Sequence, residues 1–311
     1  MTKLLVTGAS GLLGRAVVAA FKQQAQFQVV AAAFSRANAG DYRLDLTDSK
    51  AVDACLAEVQ PDMIIHCAAE RRPDVSEQNP EAALNLNVQA SADLAHAAQR
   101  HNVWLLYVST DYVFDGQRGN YAESDLPNPV NFYGQSKWQG EQVVQTVSDD
   151  FAILRLPILY GQVERVDESA VLVLLNQLNH LSQQHIDNWA IRSPTSTADI
   201  AQAILQLASH KANQTPVHGI YHFSARERMT KYDMLLTLAK LVGKPSEHIL
   251  PADAPNDSAK RPRDCSLLCQ RLEALNIRSD VDFVQGATDA LTQSSQALAA
   301  IGLQLTNAEG A

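Results

Sequence analysis
The 311-residue sequence predicts an α/β protein, a Rossmann-like doubly wound parallel sheet with a smaller C-terminal substrate domain. Short apolar runs of strand length alternate with helical patterns at intervals of roughly 30 residues through the first half, the rhythm of βα units. The first run, Lys3-Leu4-Leu5-Val6-Thr7, passes into a glycine-rich turn that opens a helical pattern, Ala16 to Phe21. Beyond residue 161 the alternation loosens. The expected division is therefore a nucleotide-binding domain over 1–160 and a smaller substrate-binding region over 161–311, with a helix near 197–209 returning to the first.

The turn reads Gly8-Ala9-Ser10-Gly11-Leu12-Leu13-Gly14, a G-x-x-G-x-x-G spacing between strand and helix. Glycines there permit a tight turn and let backbone N–H groups approach a pyrophosphate at the helix N-terminus. Gly8, Ser10, Gly11, Leu12, Leu13 and Gly14 are the expected cradle. A second strand, Gln28 to Phe34, ends at Ser35-Arg36, where common NAD binders carry an acid for the ribose 2′-hydroxyl and an Arg accommodates a 2′-phosphate. Arg36 thus points to NADP(H), with NAD(H) as the alternative. Tyr42 to Leu46 is a third strand; Asp45 and Leu46 at its end face the adenine side, or Asp45 caps the helix that follows.

Met63-Ile64-Ile65-His66-Cys67-Ala68-Ala69 is a near-continuous apolar run, as a central parallel strand requires. Cys67, Ala68 and Ala69 at its end leave room for a flat cofactor ring beside the backbone, and His66 reads as a core histidine. Glu70-Arg71-Arg72-Pro73-Asp74 follows at the carboxyl end, where open α/β sheets bind ligands. Arg71 and Arg72 there either hold a phosphate or carboxylate or belong to a solvated loop. Pro80 to Arg100 reads as one long helix carrying Asn85 and Asn87, one of which meets the sheet or the cofactor loop.

Val103 to Val108 is the next strand, ending in Ser109-Thr110-Asp111-Tyr112-Val113-Phe114-Asp115-Gly116. A turn-rich loop then delivers Tyr133-Gly134-Gln135-Ser136-Lys137, which places a phenol and an ammonium one turn apart on a helix face. Phe151 to Leu156 is a sixth strand. In the second half the patterns predict helices over Glu168 to Leu181, Thr197 to Ser209 and Lys231 to Val242. They also predict a strand over His218 to Phe223, a polar loop from Pro251 to Pro262 and fraying from Thr306 to Ala311.

A net charge of −9 argues against a nucleic-acid surface. No run of ~18 apolar residues predicts a membrane span, and the chain enters a strand at once, so no signal peptide is expected. Cys55, Cys67, Cys265 and Cys269 match neither a zinc pattern nor a disulfide framework, so no metal site is expected. Reduced thiols suggest the cytoplasm.

Taken together, Thr7-Gly8-x-x-Gly11-x-x-Gly14, Ser109 to Gly116 and Tyr133-x-x-x-Lys137 resemble the extended short-chain dehydrogenase/reductases. Within these the chain is similar to the dTDP-4-dehydrorhamnose reductases, also through Ser193-Pro194-Thr195…Asp199 and Gly219-Ile220-Tyr221-His222. A second resemblance is to the regulatory β subunits of methionine adenosyltransferase. It rests on His66 to Val75, Leu154 to Gly161, Glu168-Ser169-Ala170-Val171, Met229-Thr230-Lys231-Tyr232 and Arg261-Pro262-Arg263. Those subunits share the reductase fold and bind NADP without catalysing reduction. The chain departs from the rhamnose-pathway enzymes at Pro157 to Tyr160, where they usually carry a Trp followed by an Asn-Phe pair.

The first resemblance implies an NADPH-dependent reductase of a nucleotide-sugar 4-ketone in dTDP-rhamnose biosynthesis. Tyr133 would be the general acid, Lys137 would lower its pKa and bind the nicotinamide ribose, and Thr110 would bond the carbonyl oxygen. Arg71, Asp111 and Tyr112 would orient the sugar, and a homodimer is common in that family. The second implies a methionine adenosyltransferase as protein partner.

Overall fold
The computed structural model describes residues 1–254 and 259–306. Its centre is a seven-stranded, wholly parallel sheet. The first half supplies β1 (Thr2–Thr7), α1 (Leu12–Lys22), β2 (Phe27–Ala33), β3 (Tyr42–Arg43), α2 (Ser49–Val59), β4 (Met63–His66), α3 (Pro73–Gln78), α4 (Pro80–Leu84), α5 (Ala90–Arg100), β5 (Trp104–Thr110), α6 (Phe132–Val147) and β6 (Ala152–Leu156). The spatial order β3-β2-β1-β4-β5-β6 reverses direction between β1 and β4, the doubly wound arrangement.

Later come β7 (Leu159–Tyr160), β8 (Gln184–Asp187), β9 (Thr195–Ser196), α7 (Thr197–Ala212), β10 (Gly219–His222), α8 (Lys231–Leu241) and β11 (Ile249–Ala252). β10 pairs with β6 and extends the main sheet, while α7 packs on α1. One face of the sheet thus buries a core with Val17, Phe21, Ile200, Ile204 and Leu207; the other buries Val52, Leu56, Leu94, Ala98 and Val144 from α2, α5 and α6. A third core gathers Tyr160, Leu172, Leu175, Met234, Leu238 and Phe283 from the second half, beside the small parallel pairs β8–β11 and β7–β9.

Two helices differ from the sequence expectation. The run from Pro80 to Arg100 is interrupted by a π-helical turn at Asn85–Gln89. The Asn87 carbonyl accepts from the Ser91 hydroxyl at 3.0 Å and from Tyr107 at 3.4 Å, and the buried Asn87 amide is committed outside the helix, so the regular ladder is diverted there. Glu168 to Leu181 is not an α-helix but two 3₁₀ segments, Val166–Glu168 and Leu172–Asn179. The Ser169 hydroxyl accepts from the N–H of Val171 and of Leu172, a local turn that competes with helical bonding. Part of the polar loop expected from Pro251 to Pro262 lies outside the described residues, and Pro251 itself belongs to β11. Thr306 is held by two bonds to the Leu241 carbonyl rather than frayed; residues 307–311 lie outside the described residues.

A buried ion pair fastens α6 to the sheet. Arg155 on β6 donates Nε and Nη2 to the two oxygens of Glu141 on α6, at 2.9 and 2.7 Å, with both side chains 1% exposed. The Ser109 hydroxyl at the end of β5 donates to the same carboxylate at 2.5 Å. Close approach is helped at Gly134, where a Cβ would collide with the Tyr112 carbonyl. Behind the pair lies His222, kept neutral because burial, aided by the Arg155 charge, pushes its pKa down to about 3.

Glu141→Ala leaves the Arg155 charge buried and uncompensated and should lower unfolding free energy by about 3–5 kcal/mol in urea titrations, whereas replacing both partners by Leu should cost less. His222 is neutral in the fold but titrates with a pKa near ~6.5 when unfolded, so its stabilising contribution is complete above that value and is lost as pH falls towards 3. The stability gap between the wild type and His222→Asn, followed by denaturant midpoint, should therefore narrow from pH 7 to pH 4.

Candidate active site
The carboxyl ends of β1, β4 and β5 and the turn after β1 floor one cleft with a cavity of about 680 Å³. That lies in the range of cofactor pockets. Within its lining Gly8 has φ +67°, and a Cβ there would sit 2.6 Å from the Ala68 backbone nitrogen, so the turn and the end of β4 touch backbone to backbone. Helix α1 begins with no side-chain cap, leaving its first N–H groups turned to the cleft, an arrangement that suits a phosphate. All the cofactor residues named from sequence line this cavity: Gly8, Ser10, Gly11, Leu12, Leu13, Gly14, Arg36, Asp45, Leu46, Cys67, Ala68, Ala69, Tyr133 and Lys137. Thr110, Arg71, Asp111 and Tyr112 line it too.

Helix α6 presents Tyr133, Lys137 and Glu141 at successive four-residue steps, so the ion pair to Arg155 also sets the height of the first two. Its start is capped by the Asn131 side chain, which accepts from the Gly134 N–H at 2.8 Å. The Lys137 ammonium is 2% exposed, donates to the Val108 carbonyl at 2.8 Å and lies 3.9 Å from the centre of the Tyr107 ring. Burial lowers its pKa to about 7, against the opposing pull of Glu141.

Tyr133 departs from the expectation that Lys137 lowers its pKa. Burial pushes the phenol above its ordinary value, the Asp111 and Tyr112 charges add to the rise, and a hydrogen bond with Thr110 only partly offsets it. The phenol therefore keeps its proton through neutral pH. Thr110 also donates to Asp111 at 3.1 Å, and Asp111, 3% exposed, is raised to about 7 by burial despite the nearby Arg192. The sequence of contacts Asp111–Thr110–Tyr133 is one connected polar group.

Other sequence expectations resolve individually. Asp45 bonds the Thr47 N–H and hydroxyl, while Asp48 caps α2, so Asp45 lines the cavity without being the cap. The two arginines diverge: Arg72 forms a fork with Glu70 on the surface, and Arg71 reaches across the cleft to the Glu168 carbonyl at 2.7 Å. His66 links Thr7 to Ser91 in the core and is held neutral by burial. Asn87 bonds both polar groups of the Glu70 backbone and the Ser136 hydroxyl, tying the loop after β4 to α6.

Two wall residues were not singled out from the sequence. Arg192, 3% exposed, lies with its guanidinium 5.4 Å from the Tyr112 ring centre and bonds the Tyr112 hydroxyl at 3.3 Å. Glu168, read from the sequence as a helix start and as part of Glu168-Ser169-Ala170-Val171, bonds both Arg15 and Arg36. Neither has a local signal for these contacts, since Arg192 meets Tyr112 across 80 residues of chain and Glu168 meets Arg15 and Arg36 across 153 and 132.

The RmlD substrate binding domain model matches residues 1–296. Methionine adenosyltransferase 2 subunit beta of Bos taurus is 43% identical over 291 residues, 93% of this chain and 87% of that one. The dTDP-4-dehydrorhamnose reductase of Aggregatibacter actinomycetemcomitans is 34% identical over 240 residues, covering 76% and 78% of the two chains. Among solved structures, the dTDP-4-dehydrorhamnose reductase of Bacillus anthracis in complex with NADP superposes with a TM-score of 0.80 at 25% identity, covering 94% of this chain and 99% of that one. With the family model spanning nearly the whole chain and relatives well above 30% identity, the protein belongs to the RmlD substrate-binding domain family.

Proposed function
We propose that the protein is a nicotinamide-dependent reductase that binds NADP(H) in preference to NAD(H) and reduces the 4-ketone of a nucleotide sugar, as dTDP-4-dehydrorhamnose reductases do. The observation that carries this reading is that Thr110, Tyr133 and Lys137 line the same cavity as the glycine turn. The bound cofactor would supply the hydride. The residues that would hold it are the backbone of Gly8 to Gly14, Arg36, the small Ala68 and Ala69, and Lys137 at the ribose.

The chain's own groups then have separable tasks. The Tyr133 phenol holds a proton at Oη until charge develops on the ketone oxygen, and a product alkoxide is more basic than a phenolate, so the transfer runs downhill. Thr110 stabilises the same oxygen as a hydrogen-bond donor. Lys137, with its pKa brought to about 7, is charged below neutral pH and half charged at it, and in its charged form neutralises the phenolate left behind. Arg71, Asp111, Tyr112 and Arg192 line the end where the sugar would lie.

A second reading is supported by the 43% identity over 93% of the chain to a methionine adenosyltransferase β subunit. Under it the same cleft binds NADP(H) without turnover and the protein acts as a regulatory partner of a methionine adenosyltransferase.

With dTDP-4-dehydrorhamnose as substrate, wild-type protein should oxidise NADPH, followed by absorbance. Tyr133→Phe should lose about 10²- to 10⁴-fold of that rate while still binding NADPH, since only the proton is removed. Absence of any turnover by the NADPH-saturated wild type would sink the reductase reading. The regulatory reading predicts a complex with a methionine adenosyltransferase catalytic subunit on size-exclusion chromatography, unchanged by Tyr133→Phe; two separately eluting proteins would count against it.

A further inference from the structure
The acid that ends the second strand in many NAD-binding folds, where it accepts the ribose 2′-hydroxyl, is missing here, since Ser35 and Arg36 stand there instead. The fold brings one from far along the chain. Glu168, 132 residues beyond Arg36, places Oε1 2.9 Å from Arg36 Nη1 and Oε2 2.7 Å from Arg15 Nη2, and both Glu168 and Arg36 line the cleft. Its backbone carbonyl accepts from Arg71, another lining residue. We propose that Glu168 reads the 2′ position of the adenosine ribose: it accepts the 2′-hydroxyl of NAD(H), and it gives up Arg36 to the 2′-phosphate of NADP(H). This rests on the assignment of the cleft to a nicotinamide dinucleotide.

The two arginines are not equivalent, and the difference makes the exchange workable. Arg15 is anchored by further bonds from Nη1 to the Ser10 carbonyl at 2.8 Å and from Nη2 to the Gln162 carbonyl at 3.3 Å, and its side chain is 24% exposed. Arg36 is 60% exposed and meets Glu168 through Nη1 alone. Glu168 itself is 10% exposed and accepts a third bond from the Glu164 N–H at 3.1 Å. Burial works against its ionisation, yet the Arg15 bond, the Glu164 N–H and the two guanidinium charges outweigh that and hold its pKa below the usual range. The carboxylate thus stays charged and stays with Arg15, while the solvated Arg36 is the partner able to turn to another anion.

The consequence is a site with both halves of the 2′ recognition code, an acid for a hydroxyl and a guanidinium for a phosphate. A carboxylate kept near a 2′-phosphate repels it, and a charged acceptor bonds a hydroxyl more strongly than a neutral one. Glu168→Gln should therefore tighten NADPH and weaken NADH together, raising the ratio of the NADH to the NADPH dissociation constant about tenfold.

Fluorescence titration of wild type, Glu168→Gln and Arg36→Gln with NADPH and with NADH tests this, with circular dichroism as a check on folding. Titration with 2′,5′-ADP against 5′-AMP isolates the adenosine end. Arg36→Gln should weaken NADPH about tenfold and leave NADH unchanged or tighter, because Glu168 is then released to the hydroxyl. Equal weakening of both dinucleotides by Glu168→Gln would mean that Glu168 only holds its loop in place, and an unchanged or lowered ratio would likewise overturn the proposal. A wild type that binds neither dinucleotide would fail the cofactor assignment itself, and the inference with it; binding by wild type with no shift in the variants would fail the inference alone.

Discussion
Everything at the reacting end of the cleft depends on where helix α6 sits, and that is set by one buried ion pair. Glu141 and Arg155 are removed from water together, which is tolerable only because the fork geometry and the Ser109 hydroxyl satisfy the carboxylate. Glu141 follows Tyr133 and Lys137 on the same face, so holding its carboxylate against β5 and β6 holds the phenol and the ammonium at the ends of those strands. A slip of one helical turn would move Lys137 from the Val108 carbonyl and Tyr133 from Thr110.

Burial then gives this end its chemistry. Lys137, Asp111 and Tyr133 are each shifted away from the charged form, and by desolvation first in every case. Lysine and aspartate are both brought to about 7, where small changes in their surroundings alter their charge. Glu168 shows the opposite balance: burial works against its charge, but the Arg15 bond, the Glu164 N–H and the neighbouring guanidiniums outweigh it and hold the carboxylate ionised.

The fold was largely legible because parallel strands buried on both faces must be apolar runs, and such runs at β1, β4, β5 and β6 are conspicuous in any order of reading. Helix irregularities were not. The π turn at Asn85–Gln89 depends on Tyr107 and Ser136 meeting Asn87, and the 3₁₀ character after Glu168 depends on Ser169 bonding its own neighbours while also reaching the Leu159 carbonyl. Side-chain bonds of this kind override a 3.6-residue pattern that looks regular in sequence.

By itself the sequence determined the order of the strands through β6, the glycine turn, and the spacing that sets Tyr133 and Lys137 on one helix face. These are local properties, decided by backbone sterics, hydrophobic period and residue separation. Only the tertiary structure decided that Arg192 would lie against Tyr112, that burial would shift both Lys137 and Tyr133 away from their charged forms, and that Glu168 would reach Arg15 and Arg36. Charge and proton affinity depend on neighbours and on water excluded by distant segments, and neither is written in the spacing of residues along a chain.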